Sequence, residues 1–177
     1  MKKVLSSVNV GETFKVAGIE FIKFSDEKNQ TIAVAKECVF NSLFGDNNNF
    51  AESSVKSRLE REILANIEEE IGAENIVEHE VDLLSLDGDD KWGKVNCKIS
   101  IPTFDFYRRN VKIFDAHKVD KWWWLATPDT TDKHYNDKWV VCVSPRGDVD
   151  YDDGLYFHFG VRPFLIFISS ISVSCEE

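Results

Sequence analysis

Asp148, Asp150, Asp152 and Asp153 are the densest group of side chains in the sequence that could hold a metal or move a proton. Alternating carboxylates can converge on one Ca²⁺, but the run reads more simply as a solvated acidic loop over Asp150–Gly154. The stretch Asp87-Gly88-Asp89-Asp90 also resembles a calcium loop. An EF-hand needs a glutamate at the twelfth position, and that position is Lys98, so a plain acidic turn is expected. His79, His117, His134 and His158 are never spaced as ligands of one ion, with each other or with a cysteine. No GxSxG, GxxxxGK[ST], GxGxxG or HExxH occurs. Arg108-Arg109 could clamp a carboxylate or phosphate, although a salt bridge to an acidic helix nearby is the preferred reading. The sequence therefore points to no catalytic residue, no metal, no cofactor and no enzyme.

Cys38, Cys97, Cys142 and Cys175 lie far apart and form no CxxC pair. They read as buried, reduced thiols. The N-terminal stretch has two lysines but no apolar run of signal-peptide length. No segment is long and apolar enough to span a bilayer. These features together imply a cytoplasmic protein.

The 177 residues carry 31 acidic and 21 basic side chains, a net charge of −10. A surface of that sign repels phosphate backbones, so direct nucleic-acid binding is disfavoured. A basic protein surface remains a natural partner, the nucleic-acid groove of another protein included, and a neutral ligand is equally compatible. The chain holds 13 Phe, 5 Trp and 4 Tyr against 1 Met. Cores of that kind suit sheets better than helical bundles.

The elements that must position these groups follow from periodicity. Residues 10–36 alternate as a β-meander, with a polar turn over Ser25–Gln30. One helix is expected over residues 53–71, capped by Ser53 or Ser54 and ended by Gly72, with Val55, Leu59, Ile63, Leu64 and Ile67 on its buried stripe. Residues 76–86 read as a strand. Thr103 can cap a short helix through Phe106 and Tyr107. Trp122–Leu125, Trp139–Val143 and Val161–Ile168 read as strands, the last one closing the fold. Together these predict a single α+β domain spanning 1–177, a twisted antiparallel sheet with one main amphipathic helix.

Residues 121–168 carry a recognisable pattern. Trp123-Trp124-Leu125-Ala126-Thr127-Pro128, then Val143 and Gly147, then Gly160-Val161-Arg162-Pro163-Phe164-Leu165 resemble the WWLRSPG…GVRPAL signature of a domain family found in gut bacteria and their phages. Val10-Gly11-Glu12, Gly18–Ile22, Ser54–Leu59 and Leu83-Leu84-Ser85 match its upstream elements, so the likeness covers most of the chain. Ala126 and Asp129 stand where that family has arginine and glycine. The resemblance implies a C-type-lectin-like fold, shared with formylglycine-generating enzymes and the variable proteins of diversity-generating retroelements. It also implies a ligand-binding face built from polar segments between the strands. Trp123, Trp124, Gly160, Arg162 and Pro163 are expected to be scaffold: Gly160 for a positive φ or a close approach, Arg162 as an anchor for a loop carboxylate.

The binding face is expected on two segments that interrupt these strands and emerge at neighbouring sheet ends. One offers Asp132, His134, Tyr135, Asn136 and Asp137, the other Asp150, Tyr151, Asp152, Asp153 and Tyr156. Tyrosines give contact area at low entropic cost, while Asn and Asp adapt their hydrogen bonds. The implied function is non-catalytic recognition of a protein or glycan. The alternative is a small acidic phage-encoded inhibitor of anti-CRISPR type that occupies the basic nucleic-acid-binding surface of a defence nuclease.

Overall fold

A computed structural model describes residues 1–132 and 137–175. After β1 (Lys2–Val4), the strands β2 (Thr13–Val16), β3 (Ile19–Glu27) and β4 (Gln30–Ala35) form an antiparallel meander. β3 runs on through Ser25 and Asp26, where a turn is expected. The reversal falls on Lys28 and Asn29, with φ of 53° and 62°, the left-handed pair that a two-residue type I′ hairpin turn requires. A bulge between Lys23 and Ser25 re-phases β3 against β4.

After β5 (Phe40–Ser42) comes the one long helical run. Ser53 caps it, its Oγ accepting from the Lys56 N–H at 3.0 Å, and Gly72 ends it at φ 87°. Between α1 (Ser54–Arg58) and α2 (Ala65–Ile71) lies a π-helical segment, Leu59–Leu64. The apolar spacing accounts for it. Val55, Leu59, Ile63, Ile67 and Ile71 recur every fourth residue. On a pure α-helix such a stripe drifts by about 40° per turn, and one wider π turn cancels part of that drift. Val55, Leu59 and Ile67 are fully buried as a result.

The strand expected over 76–86 breaks at Glu78. β6 (Ile76–Val77) joins the large sheet, while β7 (His79–Asp82) pairs only with β8 (Lys94–Cys97). β9 (Ile99–Ser100) is followed by α3 (Phe104–Arg109), capped by Thr103 as expected, and by a second short helix, α4 (Val111–Ala116), that the periodicity did not reveal. Arg108 does not reach the acidic helix. It pairs with Asp105, one turn back on α3, at 2.6 Å.

The remaining strands are β10 (Trp123–Pro128), β11 (Trp139–Val143), β12 (Val149–Asp153), β13 (Phe159–Val161), β14 (Phe164–Ile168) and β15 (Ser172–Ser174). Val161–Ile168 is thus two strands in two sheets, parted at Arg162-Pro163, because Pro163 cannot donate to a ladder. The eight-stranded sheet runs β1-β15-β2-β3-β4-β14-β6, with β9 also on β14. The five-stranded sheet runs β12-β11-β10-β13-β5 and contains one parallel pairing, β10 with β13. The whole is a single α+β domain of curled, largely antiparallel sheet with one main helix.

Alternation along the strands feeds two apolar clusters. Phe14, Phe21 and Phe167 meet edge-on and stacked at 5.4 to 5.8 Å and pack with Trp124, Val140, Leu59 and Ile67. On the opposite faces, Phe24, Phe114, Trp123 and Val141 pack under α3 and α4.

One charged group is sunk into the first cluster. Lys23 is 1% exposed, and its Nζ donates to the Leu5 carbonyl at 2.9 Å and to Asp26 Oδ2 at 2.6 Å. Ser169 Oγ donates to Asp26 Oδ1 at 2.8 Å. Burial pushes the Asp26 carboxyl up, but hydrogen bonds from Lys23 and Ser169 and the Lys23 charge outweigh it and hold the group below its ordinary value. The pair ties β3 to the segment after β1 and to the chain following β14.

The two partners differ in exposure, and this makes the pair asymmetric. Asp26→Asn leaves a buried ammonium with one carbonyl and should cost about 3 kcal/mol. Lys23→Met leaves a quarter-exposed carboxylate still held by Ser169 and should cost clearly less. Because the Asp26 pKa is depressed, its contribution is complete above its unfolded value and fades as pH falls through the folded one. Urea denaturation of both variants at neutral pH checks the asymmetry, and equal losses would refute it.

Candidate functional site

β12 is the free end strand of the five-stranded sheet, and it is ordered ladder rather than loop: Val149 to Asp153 pair residue by residue with Val143 to Trp139. The expectation of an acidic loop over Asp150–Gly154 is corrected here. Aspartate is a poor strand former, but Val149 and Tyr151 alternate with it, and an edge strand tolerates the charges that discourage pairing with other chains.

That alternation sorts the side chains. Tyr151 lies across from Val141 and stacks on Trp139, ring centroids 4.9 Å apart, and it is 46% exposed. Asp150 and Asp152 lie across from Cys142 and Val140 on the other face. Burial pushes the Cys142 thiol up to about 12, with the charges of Asp152 and Asp150 adding to it. Asp150 Oδ1 accepts from the Tyr151 N–H, Asp152 Oδ1 from Asp153, and Asp153 Oδ1 from Leu155. No lysine or arginine among the described residues pairs with these three carboxylates. Nor, among the described residues, do three His, Cys, Asp or Glu side chains converge as a metal-holding group.

Beyond β12 the chain turns at Gly154, whose N–H donates to the Lys138 carbonyl at 2.9 Å. Tyr156, 74% exposed, and Phe157 follow, and Phe157 leans on Phe159 at 5.5 Å. Trp122 stacks on the same Phe159 at 5.6 Å. The first expected segment approaches the same sheet end. The Asp137 carbonyl accepts from Asn48 N–H at 2.8 Å, and Asp132 N–H donates to Thr130 Oγ1. Of the expected residues, Asp132, Asp137, Asp153 and Tyr156 gather near this end, whereas Asp150, Tyr151 and Asp152 run back along the strand. His134, Tyr135 and Asn136 lie outside the described residues.

A buried asparagine builds the base of that end. Asn48 Nδ2 donates to the carbonyls of Thr130 and Trp139 at 2.6 and 3.0 Å, and its Oδ1 accepts from Trp92 Nε1 at 2.9 Å. Four chain segments meet on one side chain. The sequence shows Asn48 only as one member of a polar GDNNN loop.

The expected scaffold residues take definite roles. Trp124 Nε1 donates to the Ser42 carbonyl at 2.9 Å. Gly160 is there for a close approach, not for its φ: a Cβ would sit 2.3 Å from Cys38 Sγ. Arg162 anchors no carboxylate among the described residues. Its Nε donates to the Ala35 carbonyl at 2.9 Å, and its guanidinium lies over Trp123 and Phe114, 4.8 and 5.3 Å from the ring centres. Burial brings its pKa down to about 10. Cys38 and Cys175 are only half-buried, unlike Cys97 and Cys142. Burial drives the Cys38 thiol up to about 11 against the pull of Arg162 and Lys121, so it is protonated, and a weak nucleophile, at neutral pH.

One polar pair escaped the sequence, because its members stand 21 residues apart. His79 Nε2 lies 2.9 Å from the Ser100 hydroxyl, with the imidazole ring packed on Phe164 at 5.0 Å. Its Nδ1 is buried with no hydrogen-bond partner among the described residues.

Burial pulls the His79 pKa below its ordinary value of 6.5, against weaker opposing effects from the Val77 carbonyl and the Glu78 charge. A histidine kept neutral by the fold binds fewer protons than the unfolded chain does. Its contribution is therefore intact above about pH 6.5 and declines as pH falls below that value. His79→Gln should lose less stability than the parent between neutral and mildly acidic pH, measured as the shift of the urea midpoint. Parallel shifts would show that the imidazole ionises freely in the fold.

No family model matches the chain, and no curated protein or solved structure matches it either.

Proposed function

We propose that this chain is a non-catalytic recognition module that binds a protein through β12 and the Leu155–Phe157 segment after it. The observation that carries this reading is Tyr151: exposed on an open sheet edge, held flat against Trp139, and flanked by aspartates that form no ion pair with a lysine or arginine among the described residues. A ring pre-positioned by stacking loses little freedom when a partner covers it, which is what a hot-spot residue needs. Tyr156 and Phe157, in the segment just after β12, are exposed as well. The carboxylates of Asp150, Asp152 and Asp153 select a partner with basic groups around an apolar patch.

The C-type-lectin-like assignment belongs to the same proposal. It rests on Trp123–Pro128 and Gly160–Leu165, and on the nearness of the two polar segments at one sheet end. The second reading, an acidic inhibitor lodged in a nucleic-acid-binding groove, is favoured by the same uncompensated aspartates, which repeat along an extended strand as phosphates do along a backbone.

The test uses a partner captured by the intact chain and then purified. Tyr151→Ala and Tyr156→Ala should each weaken its binding by roughly 1 to 4 kcal/mol while leaving the urea midpoint nearly unchanged. If the inhibitor reading holds, Asp150→Lys with Asp152→Lys should do more damage, chiefly by slowing association, and added salt should weaken the complex steeply. A complex indifferent to both sets of changes would place the binding face elsewhere.

A further inference from the structure

A groove remote in sequence from β12 has the makings of a second binding site. It lies between β7 and α3. One end is an apolar hollow of about 200 Å³ walled by Val81, Ile101, Phe106 and Phe164, with the His79–Ser100 pair as its polar wall. Glu80 and Thr103 are shared with an adjoining, more polar hollow of about 410 Å³, lined by Asp82, Asp105 and Arg108 among others. The two hollows therefore lie side by side along β7.

The wall formed by β7 is an unfinished sheet. β7 pairs only with β8, and the Leu83 N–H donates to the Gly93 carbonyl at 2.9 Å. In an antiparallel ladder, residues alternate between bonding to the neighbour and facing away. With Leu83 bonded, His79 and Val81 also face β8, and Glu80 and Asp82 turn their N–H and C=O groups outward. Both residues line the groove, and among the described residues these backbone groups have no backbone partner.

The charges around the opening are unbalanced. Lys94 holds Glu80 at 2.7 Å and Arg108 holds Asp105 at 2.6 Å, which leaves Asp82 as the rim carboxylate with no ion pair among the described residues. A free strand edge, an apolar socket and the unpaired Asp82 carboxylate beside it together describe one occupant. We propose that the groove binds an extended peptide segment that adds to β7 as a third strand. It would place an aromatic or branched aliphatic side chain in the socket and a lysine or arginine, an odd number of residues away, beside Asp82 on the other face of the strand. Strand addition draws its affinity from main-chain hydrogen bonds and its selectivity from pockets for alternate side chains. This site is independent of the proposed β12 face, and each can fail without the other.

The probe is an array of acetylated, amidated hexapeptides of threonine carrying one phenylalanine and one lysine at varied separation, titrated into the intact protein by NMR. The best member should shift the Glu80 and Asp82 amides. Glu80→Lys with Asp82→Lys should weaken it by roughly tenfold or more, as should a glutamate in place of the peptide lysine. N-methylation walked along the peptide should abolish binding at every second position. Tyr151→Ala should leave the affinity unchanged. The proposal fails if no member binds below about 1 mM. It fails equally if charge reversal and N-methylation have no effect, which would mark a plain apolar-ligand cavity, or if the shifts fall on β12.

Discussion

The two sheets are joined where the chain leaves β13 and enters β14, and a buried guanidinium occupies that crossing. Arg162 sits at the break that Pro163 forces. Its Nε holds the Ala35 carbonyl, while the Ala35 N–H returns to the Pro163 carbonyl at 2.8 Å. The strand that ends at Ala35 is therefore clamped from both sides of the crossing. Burying a charge is costly unless it is paired. Here the compensation comes from a carbonyl and from the faces of Trp123 and Phe114, not from a carboxylate, and Nη2 is left without a protein partner. Arginine suits the place better than lysine, because its flat, weakly hydrated head can lie on aromatic rings and still donate along its edge.

The rest of the architecture follows from that crossing. β13 is held parallel to β10 through Gly160 opposite Trp123, and only a glycine lets Cys38 approach that closely. β14 then passes into the large sheet with β4 on one side and two short strands, β6 and β9, sharing its other edge. Because β6 and β9 divide that edge, the chain between them is free to leave as the β7–β8 ribbon. The groove beside α3 thus follows from how the closing strand is paired.

Much of this was legible in the sequence, and what was not has physical causes. The meander, the Ser53 cap, the Gly72 stop and the strands at Trp123 and Trp139 rest on local rules, periodicity and capping, that tertiary contacts did not override. The helix stripe at every fourth residue was visible too, but as a plain α-helix; its misfit to 3.6 residues per turn was the available sign of the π segment. Asp150–Asp153 misled because composition favours a loop, while the edge position of β12 made a strand of it. Lys23, Asn48 and the His79–Ser100 pair were beyond reach, since each owes its role to partners that only the fold brings near. Of the candidate face, the residue types pointed to Tyr151 and Tyr156 but not to Trp139, which fixes Tyr151, or to Phe157.

Both surfaces singled out here are open strand edges, and both are acidic. An open edge is a hazard, since any chain with free backbone groups can pair with it. Asp150 and Asp152 on β12, and Asp82 on β7, where Lys94 offsets Glu80, put negative charge where a second copy of this chain would approach. With a net charge of −10, two copies repel, and edge-to-edge pairing between them is opposed at long range and at contact. The same charges attract a basic segment and speed its encounter. If these edges are the binding sites proposed above, the device that keeps them from pairing with themselves also sets which strands they accept.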